Sequence, residues 1–195
     1  MAPATAILQS LCGKPASCRK AEIMTGDSAR ISVAVAVPPS QAFEIFTADI
    51  DRWWRRGAKF RHSGSRSGLL CIEPLVGGRL FESFDSDGAP SVIEVGRVQV
   101  WDPPRRLNFT WRNANFAPHE QTEVQVEFAA TASGTLVTVI HGGLAALRAD
   151  HPARHGLQGA EFSRMIGMWW GEQMSSLRVL CADVKAPESQ SCRSP

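Results

Sequence analysis

Six strand-like runs follow one another with no room for a helix between them, near residues 68 to 73, 78 to 84, 91 to 101, 106 to 111, 122 to 130 and 134 to 141. Turn signals separate them: Pro74 with Gly77 and Gly78, Asp87 with Gly88, Pro103 with Pro104, Pro118, and Ser133 with Gly134. Parallel neighbours need crossovers of roughly a dozen residues or more, so the spacing predicts antiparallel pairing throughout. A further strand precedes them, where Ile31, Val33, Val35 and Val37 alternate with small residues before Pro38, Pro39 and Ser40 stop the run. Phe43, Ile45 and Phe46 then stand at helical spacing, and Asp49 is placed to cap a second short turn that presents Trp53 and Trp54.

The last periodic segment is long. Phe162, Ile166, Trp169, Gln173, Leu177, Leu180 and Val184 recur at three- to four-residue steps, an amphipathic helix of roughly six turns. The order predicts an α+β domain: a seven-stranded antiparallel sheet, two short helices after strand one, and a C-terminal helix that alone is long enough to cover the sheet's apolar face. Residues 1 to 27 show no period and are expected to form a flexible N-terminal extension, with Met24 a candidate true start. The domain is expected over residues 28 to 185, and residues 186 to 195 as a disordered tail.

Lys14, Arg19 and Lys20 against Glu22 account for the whole net charge of +2, so the remainder of the chain is neutral. A neutral domain is a poor binder of phosphate backbones, and no nucleic-acid partner is expected. Cys12, Cys18, Cys71, Cys181 and Cys192 are odd in number and scattered without a CxxC, which argues against a disulfide framework and for a reducing compartment. No stretch reaches the ~18 apolar residues that span a bilayer. A cytoplasmic protein without membrane insertion is the expectation.

Several runs carry a family resemblance: Glu73-Pro74-Leu75-Val76-Gly77-Gly78-Arg79, Trp101-Asp102-Pro103-Pro104-Arg105-Arg106-Leu107, Phe109-Thr110-Trp111, Thr122-Glu123-Val124, Gly134-Thr135 and His141. Together, over about residues 30 to 183, they resemble the domain homologous to the activator of the ninety-kilodalton heat-shock protein ATPase. That domain belongs to the START-like, pollen-allergen-like helix-grip superfamily (SRPBCC). The resemblance implies a curved sheet gripping the long helix around a cavity, and it leaves function open because the superfamily's functions are diverse. No GxxxxGK[ST] is present, so ATP binding is not expected. Chaperone-stimulating relatives carry an additional N-terminal domain, for which about 30 residues leave no room.

Candidate site residues follow from this frame. Six tryptophans in one domain are many. Trp53, Trp54, Trp101, Trp111 and Trp169 lie on elements that border the implied cavity, where they would stack on an aromatic or steroid-like ligand; core packing is the alternative. In each adjacent pair, 53/54 and 169/170, one ring is expected inward. Thr135, Val137, Val139 and His141 share a face, which puts His141 toward the cavity as an orienting group or base, or else as a hydrogen-bonded histidine at a strand end. Glu82 shares the face of Leu80 and Phe84 and calls for an arginine partner such as Arg79 or Arg97. Ile166 and Trp169 would roof the cavity. His151 and His155 are four apart, yet Pro152 between them and the lack of a third ligand favour a solvated loop over a metal site. Gly167 and Gly171, costly inside a helix, indicate close approach to the sheet, room for a ligand, or a homodimer contact.

The expected function is binding of a small hydrophobic molecule (aromatic, lipid or polyketide-like) in an internal cavity, with no cofactor and no metal. A cyclase, aromatase or hydrolase using the same cavity is the first alternative, and a chaperone-partner module the second. Two or more perturbed titratable groups facing one void would favour the enzyme, and an exposed apolar patch the chaperone partner.

Overall fold

A computed structural model describes residues 27–64, 68–86, 88–112, 115–117 and 119–185. The expected tail, residues 1 to 26 of the expected extension, and Cys12, Cys18 and Cys192 lie outside the described residues.

Seven strands form one antiparallel sheet: β1 (Ala29–Val35), β2 (Gly68–Ile72), β3 (Arg79–Ser86), β4 (Ala89–Asp102), β5 (Arg106–Trp111), β6 (Thr122–Thr131) and β7 (Gly134–Gly142). Their order across the sheet is β1-β7-β6-β5-β4-β3-β2, so consecutive hairpins build the sheet and β1 closes one edge by pairing with β7. The sheet is curved. Helices α1 (Pro39–Thr47) and α2 (Ile50–Trp53) follow β1, and α3 (Gly159–Lys185) closes the chain. This is the expected α+β helix-grip architecture. None of the helices among the described residues is long and apolar enough to cross a membrane.

The two-residue strand period decides which side chains reach the core. Leu107, Phe109 and Trp111 of β5, Val124, Val126 and Phe128 of β6, and Thr135, Val137, Val139 and His141 of β7 are all buried. Phe43 and Phe46 of α1 pack on Phe128, with ring centroids 5.2 and 5.6 Å apart. Burying such side chains contributes roughly 1.5 to 3 kcal/mol each, which makes this sheet face the principal source of stability. In β4 the alternation breaks: Val92 and Glu94 face outward, whereas Gly96 and Val98 are buried. A bulge against β3 explains it, since Leu80 pairs with Gly96 and Phe81 with Glu94, leaving Val95 as the extra residue. Glycine is required there, because a Cβ on residue 96 would lie 1.7 Å from the Thr110 carbonyl oxygen.

Two expectations need correction, on the buried face of α3 and the cap of α2. The sheet-facing stripe of α3 is Phe162, Trp170, Gln173, Met174, Leu177 and Cys181, while Ile166, Trp169 and Leu180 are only half-buried and Val184 is exposed. The helix is rotated from the expected face so that Trp170, and not its equal-sized neighbour Trp169, takes the interior, where it donates to the buried His141. Gly167 faces β1, where a Cβ would meet Ile31 Cδ1 at 3.7 Å and Ala29 Cβ at 3.9 Å; of the readings offered for it, close approach to the sheet is the one the geometry favours. Asp49 precedes α2 without a side-chain cap and accepts a hydrogen bond from Arg52. At the other boundary, Asp27 accepts hydrogen bonds from the amides of Leu144 and Ala145, which ties the start of the domain to the turn after β7.

Candidate ligand-binding site

Four indoles meet where β5, α2 and α3 converge. Trp54 stacks on Trp111 with centroids 5.7 Å apart and planes at 22°, and meets Trp169 and Trp170 edge-on at 5.6 and 5.5 Å. Each has its place from local structure: Trp111 is an inward position of β5, Trp54 ends α2, and Trp169 and Trp170 occupy neighbouring angular positions on α3. Two indole N–H groups fix the loop after α2. Trp54 Nε1 donates to the Phe60 carbonyl at 3.0 Å and Trp169 Nε1 to the Lys59 carbonyl at 3.1 Å. Gln173 Oε1 adds a third tie by accepting from the Arg55 amide.

Outside this cluster lies a half-open cavity of about 600 Å³, lined by Trp111, Trp169, Ile166, Met165, Phe60 and His62, with His141 at its floor. That volume accommodates a small organic ligand. Ala153 and His155 form the far wall, on a segment of two 3₁₀ turns (Leu144–Ala146 and Pro152–Arg154). Phe116, Leu144, Leu147 and Phe162 form a small second core beneath that segment. Arg154 stiffens it by donating to the carbonyls of Leu144, Leu147 and Arg148 while its guanidinium lies 4.7 Å from the Phe162 ring centre.

Of the residues singled out by sequence, Trp111, His141, Ile166 and Trp169 line the cavity. Trp54 is buried behind Trp111 and Trp169. Both rings of the 53/54 pair point inward: Trp53 packs on Phe46 and donates from Nε1 to the Phe46 carbonyl. Trp101 sits away from the cavity, edge-on to Phe43 at 5.1 Å. Glu82 lies beyond the cavity wall and acts on it indirectly.

His141 is fully committed to the fold. Trp170 Nε1 can only donate, and it does so to His141 Nδ1 at 3.0 Å. Nδ1 therefore carries no proton, and Nε2–H donates to Thr122 Oγ1 at 2.8 Å, whose hydroxyl donates in turn to the Trp111 carbonyl. Burial pushes the imidazole pKa down to about 3. With both nitrogens occupied, His141 has neither a lone pair nor a proton to offer a substrate, and of the two readings the hydrogen-bonded histidine is the one the geometry favours.

Glu82 is buried to 1% exposure and accepts from the amides of His62 and Ser63 at 2.7 and 3.0 Å and from Ser63 Oγ at 2.6 Å. Its cationic neighbour is Arg61, 3.8 Å away, in place of the expected Arg79 and Arg97, which pair with Glu73 and Glu94. Arg61 is buried too, bonded to Asp51 at 2.8 Å and to the Trp54 and Arg55 carbonyls. This lattice holds the 61–64 segment against the sheet and so presents His62 to the cavity.

His62 is the site residue that periodicity did not reveal. Its ring lies 6.1 Å from Trp111, and among the described residues neither ring nitrogen has a hydrogen-bond partner. Burial lowers its pKa from the ordinary value, against the opposing pull of Glu82. The available signal was Glu82 itself: an inward carboxylate on an apolar strand face demands donors, and the polar run after α2 supplies them.

His151, expected in a solvated loop, is buried. Its Nδ1 accepts from the Ala153 amide and its Nε2 lies 3.3 Å from Glu120, which also binds Arg148. Burial raises the thiol pKa of Cys71, and that of Cys181 to about 11, which disfavours the thiolate in both. Among the described residues there is no cluster of three metal-ligating side chains.

A curved antiparallel sheet gripping a C-terminal helix, with a cavity at the mouth of the grip, defines a START-like helix-grip domain. Residues 36–164 match the Activator of Hsp90 ATPase homolog 1-like protein family, and the chain belongs to that family. No curated protein matches it in sequence. Similar solved structures include protein MLL2253 of Mesorhizobium loti, with 17% identity over 82% of this chain and 99% of that one at a TM-score of 0.55. NE0264 of Nitrosomonas europaea shares 18% identity over 82% and 97% at the same TM-score. DynU16, from the dynemicin biosynthetic locus, shares 19% over 80% of this chain and 47% of that one, with a TM-score of 0.52. At these identities the likeness is one of fold.

Proposed function

We propose that this protein binds a small, flat, hydrophobic molecule in the cavity in front of the four-indole cluster. The carrying observation is that Trp111 and Trp169 present aromatic surface to a void of about 600 Å³ while their partners Trp54 and Trp170 are locked behind them. Trp111 and Trp169 meet edge-on, 5.7 Å apart at 65°, so a planar ligand lies against one ring and meets the edge of the other. Aromatic pairs contribute about 0.5 to 1.5 kcal/mol beyond area burial, and here the surface is already in place. Catalysis is the weaker reading, because His62 is the only cavity histidine that combines a depressed pKa with free nitrogens; His141 is sealed. The chaperone-partner reading has only scattered exposed apolar residues in its support, such as Leu75 and Val76 at the turn between β2 and β3.

Titration with anthracene, monitored by tryptophan emission, tests the proposal. Saturable quenching is expected for the wild type, and its loss in Ala153→Trp, which adds an indole to the cavity lining; circular dichroism and the melting temperature check that the variant folds. Emission that ignores anthracene, or an Ala153→Trp protein that binds it unchanged, removes the cavity from consideration.

A further inference from the structure

The ligand's polar group can be read from the charges around the cavity. Among the described residues, the one carboxylate in the lining is Glu172, and Lys59 occupies it in an ion pair. Glu82, behind His62, has its oxygens filled by Ser63 and two amides. An amine entering this space would find no free anion, and burying it unpaired would be costly. The Arg61 guanidinium is likewise spent on the Asp51 carboxylate and three backbone carbonyls, those of Asp51, Trp54 and Arg55, which leaves no buried cation among the described lining residues waiting for a strong acid. What remains in the wall beside Trp111 is the His62 imidazole, neither of whose nitrogens has a hydrogen-bond partner among the described residues, a neutral ring offering one acceptor and one donor. Asn115, the other uncharged polar side chain of the lining, is exposed to water. His155, across the cavity, is exposed and reaches water.

We propose that the ligand is a hydroxylated aromatic compound whose phenolic O–H donates to His62 while its ring lies against Trp169 and meets the exposed edge of Trp111, the two indoles standing at 65° to each other. This rests on the binding function proposed above and specifies its ligand class. A phenol matches the site without creating a buried charge: its proton stays on oxygen, the imidazole stays neutral, and the remaining ring N–H serves a second ligand oxygen or water. The orientation is fixed by the loop, because Glu82 holds the His62 backbone amide and not its ring. His62 is thus a ligand-contacting residue whose side chain can be changed without dismantling the Glu82 lattice.

The experiment measures displacement of bound anthracene by 2-naphthol and by 2-methylnaphthalene, two probes that differ by hydroxyl against methyl. The affinity ratio of 2-naphthol to 2-methylnaphthalene is expected to fall by roughly three- to tenfold from the wild type to His62→Phe, the worth of one net hydrogen bond, because the transfer difference between hydroxyl and methyl is common to both proteins. His62→Phe should keep the affinity for 2-methylnaphthalene. A ratio unchanged in His62→Phe overturns the assignment while leaving the cavity as a binding site. If anthracene itself does not bind, the binding function fails and the ligand class falls with it. Nitrogen-15 NMR of the wild type provides a measurement independent of the variant's folding. Saturation with 2-naphthol should shift the acceptor nitrogen of His62 upfield and leave His141 unmoved, whereas a spectrum without that shift overturns the assignment on its own.

Discussion

Replacing His141 with Gln separates a structural imidazole from a titrating one. In the folded protein Nδ1 accepts from Trp170, so protonation would set two N–H groups against each other inside a dry aromatic cluster. Burial holds the pKa down at about 3, against an ordinary 6.5. Between those values the unfolded chain binds a proton that the folded chain refuses, so stability falls as pH falls. The contribution is complete above about pH 6.5 and is lost progressively until about pH 3, at about 1.4 kcal/mol per pH unit. From pH 7 to pH 5 the wild type should therefore lose about 2 kcal/mol through this residue alone. His62, also depressed by burial, contributes with the same sign but is present in both proteins and cancels in the comparison. Glutamine retains an acceptor for Trp170 and a donor for Thr122 and does not titrate. It should cost about 1 kcal/mol at pH 7 through imperfect geometry and nothing further on acidification. Urea unfolding followed by circular dichroism at the two pH values should show the wild type more stable at pH 7 and the order reversed by pH 5. Parallel losses in the two proteins would mean that His141 protonates in the folded state, and the bond from Trp170 would have to be abandoned.

Three further outcomes follow from the same geometry. Glu82→Ala should cost about 3 kcal/mol, because Arg61 and the amides of residues 62 and 63 lose a buried anionic partner; hydrogen exchange at those amides should accelerate, and unchanged protection would contradict the bonding pattern. Gly167→Ala should stabilise by up to about 1 kcal/mol, since the added Cβ meets Ile31 and Ala29 at ordinary contact distances while the helix gains propensity. Anthracene binding should be unaffected, and a binding loss would move residue 167 to the cavity. A chain beginning at Met24 retains Asp27 and its bonds to residues 144 and 145, so its melting temperature should equal that of the full chain. A drop of several degrees, about 1 kcal/mol for a domain of this size, would assign the preceding residues a place in the fold.

The strands were legible because each is specified locally. The expected run 106 to 111 coincides with β5, and those at 122 to 130 and 134 to 141 differ from β6 and β7 by one residue, since alternation and turn residues act within a few positions. The face of α3 was less legible for a physical reason. Ile166, Trp169, Trp170, Gln173, Met174 and Leu177 span an arc of about 140° at 3.6 residues per turn, wider than the stripe one contact needs, so the period alone cannot say which edge of that arc meets the sheet. The contact is decided by fit, with Trp170 reaching His141 of β7 and Gly167 admitting β1. His62 was hidden more deeply. It stands in a polar stretch with no period, and its position depends on Glu82, twenty residues away on another element. Yet that dependence can be argued backwards from sequence. A carboxylate between Leu80 and Phe84 must be satisfied from somewhere, and Arg79 on the same strand points to the opposite face by the two-residue period. Arg97 is drawn to Glu94, three residues away and on the outer surface beyond the bulge. The donors then have to come from a neighbouring loop, and the polar run 61 to 67 is the one that can bring an arginine, a serine and two backbone amides at once. An unsatisfied inward charge is thus a long-range restraint written in a local pattern, and here it leads to the loop that carries the free imidazole of the site.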